Sequence, residues 1–164
     1  MLKFLLYALL FFIVAILQTV VVPHIEILGA RPAFLLILTI MMALKHGTLA
    51  GCFWGFMSGL LYDVYAPIEW LGAYSLAFCM IGYAIGQIED SFISLSLIPK
   101  IIVLALACLL KDVIYFLAIG RNGDEILNTI ISISVPDTLY TICIGAILFY
   151  IFVPHVQKKI DIYR

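Results

Sequence analysis

Four ionisable residues interrupt long apolar stretches of the chain and are the first candidates for chemistry: Asp63, Lys111, Asp112 and Asp137. Because an ionisable group in hydrocarbon costs several kcal/mol, such side chains normally face protein or a water-filled cavity. Three carboxylates and one amine at similar predicted depth indicate a single polar cluster, in which Lys111 pairs with one of the acids. Such a cluster suits a ligand pocket, a proton relay or an ion pair that locks helices together.

Other catalytic or metal-binding patterns are missing from the sequence. The four cysteines lie within apolar runs without a CxxC pair, and the three histidines lie near the predicted ends of helices. The chain has no GxSxG, HExxH or phosphate-binding loop. We therefore expect a protein that is not an enzyme, with no catalytic residue, no metal and no cofactor.

A second pattern is a glycine at every fourth position: Gly47, Gly51, Gly55 and Gly59. Residues spaced by four share one face of a helix, so these glycines form a stripe without side chains, which Asp63 continues. In a membrane such a stripe lets a second helix approach closely. Two alternatives follow: close packing inside this protein, or docking of a helix from another protein.

The amino-acid composition indicates whether water or lipid surrounds these residues. The chain is 65% hydrophobic and 12% charged, with a mean hydropathy of +1.20. Soluble domains are about half apolar and about a quarter charged, so a soluble enzyme or a disordered chain is excluded. The net charge of -1 and pI near 6.2 exclude a nucleic-acid binder. We predict an integral membrane protein that is embedded in the lipid bilayer.

The apolar runs predict an all-α bundle of six transmembrane helices in a single polytopic domain, residues 1–164. A membrane-spanning helix needs about 20 apolar residues. The predicted spans are about 2–22, 32–46, 47–66, 70–88, 98–119 and 136–156. A short amphipathic stretch at about 125–134 predicts a helix lying in the membrane interface.

The basic residues predict the orientation. With six spans both termini lie on one side of the membrane, and that side carries six basic residues: Lys3, Lys45, Lys100, Lys158, Lys159 and Arg164. The other side carries Arg31 and Arg121. Because basic residues concentrate in cytoplasmic loops, both termini are expected in the cytoplasm.

An ordered series of short motifs resembles a known bacterial family. The motifs are Leu17-Gln18, Arg31-Pro32, the segment 44–47, the stripe from Gly51 to Asp63, and the segments 71–76 and 82–86. The most specific part is Gly-Phe-x-x-Gly-Leu-x-x-Asp, from Gly55 to Asp63. Together with the chain length and basic tail, the series resembles the rod shape-determining protein MreD family.

This resemblance implies a function and a fold. Members of the family are components of the bacterial elongation machinery in the cytoplasmic (inner) membrane, with which MreC associates, and through it MreB, RodA and penicillin-binding protein 2. Their fold is similar to the S components of energy-coupling-factor vitamin transporters, which implies a cavity facing outward. The resemblance implies no catalytic residue in this chain. The family's aspartate after the glycine stripe corresponds to Asp63, and the resemblance assigns it no role.

Two functions follow from these observations. The first is a non-enzymatic scaffold or regulator that supports rod shape and lateral peptidoglycan synthesis through an MreC-like partner. The second is a small-molecule-binding membrane transport subunit, which would use Asp63, Lys111, Asp112 and Asp137 around an outer pocket. The first span has only Ala8 and Ala15 as small apolar residues for an energising partner, which argues against the second function.

Overall fold

Every regular element that the structure describes is a helix. The structure is a computed structural model, and it describes residues 2–26, 30–88, 97–120, 132 and 134–160. The helices are α1 (Leu2–Ile16), α2 (Phe34–Asp63), α3 (Ala73–Gln87), α4 (Leu97–Ala118) and α5 (Val135–Ile160). The predicted interfacial helix at about 125–134 falls almost entirely outside the described residues.

Helix α1 lies at the edge of the bundle and packs through one face. Tyr7, Ala8, Phe11 and Val14 recur at helical spacing and contact the core around Leu38, Met42 and Trp54 of α2. The remaining apolar side chains of α1 are largely exposed, Leu5 by 69%. The helix continues through a π-helical turn, Leu17–Val21, and a 3-10 turn, Val22–His24.

Helix α2 folds back on itself at Gly47. The backbone angles of Gly47 are φ 79° and ψ -169°, a conformation almost restricted to glycine. The residues on either side form two antiparallel arms, which we call arm A (residues 34–46) and arm B (residues 48–63). A methyl group added at Gly51 would lie 2.8 Å from the Cβ of Ala43, although the two residues are eight positions apart. In one straight helix they would be separated by about 12 Å.

Arm A is the central helix of the bundle. Nine of its side chains are buried, covering all sides of the helix: Leu35, Leu36, Ile37, Leu38, Thr39, Ile40, Met42, Ala43 and Leu44. Because these side chains are buried, protein and not lipid surrounds arm A. Arm B and α1 pack against it, and Gly145 of α5 lies close to Ile37 of arm A and Leu104 of α4.

Four helices are long and apolar enough to cross a membrane: Leu5–His24, Phe34–Asp63, Ile68–Gln87 and Ile98–Ala118. This count takes both arms of α2 as one helix, and it classes Val135–Leu148 in α5 as a shorter apolar helix. The described part of the chain is therefore an all-helical protein with four candidate membrane spans, and the chain reverses direction within one of them.

Candidate functional site: a polar cavity at one end of the bundle

The glycine stripe faces α3 of the same chain. A methyl group at Gly51 would overlap the carbonyl of Gly82, one at Gly55 the carbonyl of Phe78, and one at Gly59 the backbone of Ser75. These contacts join backbone to backbone, so neither side can yield by moving a side chain. Gly47 differs from the other three because it forms the turn between the arms. Helix α3 thus covers the surface that the sequence offered to a partner helix.

Arm A is shorter than the hydrocarbon core of a bilayer is thick. Its 13 residues span roughly 20 Å at about 1.5 Å per residue, against a hydrocarbon core of about 30 Å. A cavity of about 620 Å³ opens at the end of the bundle where arm A begins. We call this end the cavity end. It is lined by the end of α1, the start of arm A, the end of arm B and the adjoining ends of α3, α4 and α5. The volume lies within the range of about 300–1,000 Å³ that is usual for ligand pockets.

Asp63 does not line this cavity, and its carboxylate caps α3. One oxygen, Oδ1, accepts the backbone N–H of Tyr74 at 3.0 Å. The other, Oδ2, accepts the backbone N–H of Ser75 at 3.0 Å and its hydroxyl at 2.5 Å. These are the first amides of α3, which the helix cannot satisfy itself and which attract negative charge. Asp63 is 1% exposed and holds the end of arm B against the start of α3.

Lys111 and Asp112 form an ion pair in the wall of the cavity. Lys111 Nζ lies 2.8 Å from Asp112 Oδ1, and the two side chains are 7% and 9% exposed. The same amine lies 6.0 Å from the ring centroids of both Tyr62 and Tyr74. The sequence predicted that Lys111 would pair with one of three acids, and in the structure its partner is its neighbour in the chain.

Asp137 also lines the cavity, and its side chain accepts a hydrogen bond from the backbone. Its Oδ1 accepts the backbone N–H of Arg31 at 2.7 Å. Thr141, one turn further along α5, accepts the N–H of Ala33 at 3.1 Å. Gln18 accepts the N–H of Phe34 at 2.8 Å and donates to the carbonyl of Pro32 at 3.1 Å. Residues 31–34 are therefore held in place by both α1 and α5.

No pattern in the sequence singled out the tyrosines of the cavity. Tyr62, Tyr74 and Tyr115 come from arm B, α3 and α4 and line the same cavity. Tyr74 and Tyr115 stack with ring centroids 3.9 Å apart, and the Tyr62 centroid lies 5.5 Å from that of Tyr74. Helical spacing within each segment could not reveal that three segments converge.

Of the four residues predicted to form one cluster, the structure brings three to the same cavity. Lys111, Asp112 and Asp137 line it, whereas the carboxylate of Asp63 is engaged by the start of α3. In the part of the chain that the structure describes, no group of three or more His, Cys, Asp or Glu side chains is arranged to hold a metal ion.

Comparisons with curated proteins and with solved structures gave no match. A family model does match, described as rod shape-determining protein MreD, and it aligns with residues 1–160. Since the match extends over nearly all of an all-helical, apolar chain, this protein belongs to the MreD family and is an integral membrane protein of rod shape determination.

Proposed function

We propose that this protein is a non-enzymatic scaffold of the bacterial elongation machinery in the cytoplasmic membrane. In this role it supports rod shape and lateral peptidoglycan synthesis by association with an MreC-like protein, and through that protein with MreB, RodA and penicillin-binding protein 2. The observation that carries the proposal is the family match over residues 1–160. No nucleic acid takes part.

The contacts between the helices indicate a rigid protein, which supports the scaffold role. Its polar side chains join helices to one another: Asp63 caps α3, Gln18 holds the start of arm A, and Thr141 and Asp137 tie α5 to the same segment. The glycines of arm B bring its backbone into contact with α3. A body of this kind can hold a partner's helix in a fixed position and orientation.

We place the partner's helix on α1. Helix α3 already occupies the glycine stripe, so that surface is closed to a partner. Helix α1 packs on the rest of the bundle through a single face, and only 11% of its apolar window is buried. Exposed apolar residues inside a membrane face either lipid or a partner, and crosslinking distinguishes the two.

Crosslinking in cells from single cysteines tests the assignment. Leu9→Cys and Ile13→Cys lie on the exposed face of α1, and Leu106→Cys and Leu110→Cys are matched exposed positions on α4. We expect an adduct with the MreC-like protein from α1 and none from α4. Adducts from α4 alone would show that the partner binds α4 and not α1. The scaffold role would be overturned if no exposed helix gave an adduct and cells without the gene kept a normal rod shape.

The proposal includes a topology of six spans with both termini in the cytoplasm. The two arms of α2 account for two of the six crossings, because the chain reverses at Gly47. Arm A need not match the thickness of the bilayer, since its side chains contact protein instead of lipid. A reporter active only in the cytoplasm, fused after Arg164, should be active, and a reporter active only outside the cytoplasm should be silent.

The second candidate function is a small-molecule-binding membrane transport subunit, similar to a vitamin-transporter S component. The cavity of about 620 Å³ is the observation that favours it. Such a subunit also needs an energising partner, so uptake of a substrate that stops when the gene is deleted would support transport. Normal uptake across a panel of vitamins and amines, with a defect in cell shape, would favour the scaffold alone.

A further inference from the structure

The charges around the cavity do not balance. At its rim, Arg31 Nε pairs with Glu26 Oε2 at 2.8 Å, and deeper in the wall Lys111 pairs with Asp112 at 2.8 Å. Among the described residues Asp137 has no such cationic side chain, and its Oδ1 accepts a neutral backbone N–H. The positive charges of Lys111 and Arg31 favour the Asp137 carboxylate, and the negative charge of Asp112 opposes it. Because Glu26 and Asp112 each pair with one of the two cations, these five side chains together carry one net negative charge, that of Asp137.

Part of the remaining lining is aromatic. Tyr65, Trp70, Tyr74 and Tyr115 line the cavity together with apolar side chains of arms A and B. The faces of such rings attract cations, by about 0.5–1 kcal/mol at exposed sites and more where water is excluded. The Lys111 amine, 6.0 Å from the Tyr62 and Tyr74 ring centroids, shows that the same walls accommodate a positive group. One net negative charge beside aromatic rings favours an ammonium group with an organic body.

We propose that the cavity binds an organic cation whose ammonium group faces Asp137 and whose body contacts the rings of Tyr65 and Trp70. The ammonium group can come from a free amine or from the headgroup of a lipid, since both present the same chemistry. The inference concerns binding alone, so it holds or fails independently of partner association and of transport.

The test uses the purified full-length protein in a nonionic detergent, with benzyltrimethylammonium as the cationic probe and benzenesulfonate as an anion of comparable size. Equilibrium dialysis should show saturable binding of the cation and none of the anion. Asp137→Asn removes the charge but leaves an oxygen for the Arg31 N–H, and it should weaken cation binding by about tenfold or more. Glu69→Gln is the control, because Glu69 is exposed beside Trp70 but does not line the cavity, and it should leave binding unchanged.

A second variant keeps the test decisive if Asp137→Asn does not fold. Thr19→Lys adds a positive charge to the lining without altering Asp137, and it should weaken cation binding in the same direction.

A lipid source is tested in parallel by native mass spectrometry after purification from mixed phosphatidylethanolamine and phosphatidylglycerol bilayers. Retention of phosphatidylethanolamine that is lost in the variants identifies the headgroup, and probe binding without such retention identifies a free amine.

Two results would overturn the inference. In the first, the cation binds equally to the wild type and to whichever of the two variants folds, and the wild type retains no more phosphatidylethanolamine than that variant does. The other is a preference for benzenesulfonate or phosphatidylglycerol, which would indicate that Arg31 and Lys111 determine what the cavity binds.

Discussion

The hydroxyl oxygens of Thr39 and Ser58 lie 3.0 Å apart and share a hydrogen bond, although 19 positions separate the two residues in one helical element. In a continuous helix they would be roughly 28 Å apart at about 1.5 Å per residue. Their contact shows that the arms of α2 are antiparallel, and it places a polar link between two apolar helices. Thr39 also bonds to the carbonyl of Leu35, so the pair is satisfied within the core.

The first prediction concerns this contact and the turn that permits it. In a background without native cysteines, Thr39→Cys with Ser58→Cys should form an intramolecular disulfide with a membrane-permeable oxidant, detected as protection from a maleimide of high mass. Adding Gly47→Ala should reduce the yield of folded protein, because a side chain at this backbone conformation costs about 1–3 kcal/mol. Leu49→Ala, two residues away and 85% exposed, is the control and should have little effect. Efficient labelling of both cysteines in otherwise folded protein would contradict the fold-back.

The second prediction concerns the contact between arm B and α3. Gly55→Ala should lower the melting temperature in detergent by about 2–12 °C, the range expected for an overpacking cost of about 1–3 kcal/mol in a chain of this size. The added methyl group meets the backbone of Phe78, which cannot move aside alone. Ala84→Leu adds more volume to the exposed face of α3 and should change the melting temperature by much less. Equal shifts for the two variants would mean that the stripe is not a packing surface.

The third prediction separates capping from cavity chemistry at Asp63. Asp63→Ala removes the acceptor for three donors of Tyr74 and Ser75, and loss of a cap with buried donors left unpaired costs about 1–3 kcal/mol. Ser75→Ala removes one of these bonds and should cost less. Thermal unfolding measures both, while binding of benzyltrimethylammonium by the folded fraction should not change. A variant with wild-type stability and impaired binding would instead place Asp63 in the cavity.

The fourth prediction is a double-mutant cycle on Lys111 and Asp112. Lys111→Met leaves the Asp112 carboxylate buried without its partner, which should cost about 3–5 kcal/mol. Lys111→Met with Asp112→Asn removes both charges and should recover most of the lost stability, because neither variant side chain carries a charge into the wall. Thermal or denaturant unfolding of the wild type, the two single variants and the double variant gives the coupling energy between the two residues. Additive effects of the two substitutions would show that the pair does not act as a unit.

The amino-acid composition and the order of apolar runs were sufficient to identify a membrane protein made of helices. The reason is that lipid around the chain requires apolar side chains along each membrane-spanning segment, and such segments can be read from the sequence. The motif from Gly55 to Asp63 was sufficient to indicate the family, and the spacing of its glycines was sufficient to define a face of close approach. These properties are local, since each is set within one helix and can be counted along the sequence.

Only the tertiary structure decided what each of these features contacts. Asp63 follows the glycines on the same helical face, yet its bonds go to the start of α3, because arm B ends where α3 begins. Gly47 continues the spacing of the stripe but forms the turn, and the cavity lies at the end of the bundle where the short arm A begins. The convergence of Tyr62, Tyr74 and Tyr115 depends on how three helices pack. Periodicity records which face a residue occupies, whereas the neighbour of that face depends on the packing of the whole bundle.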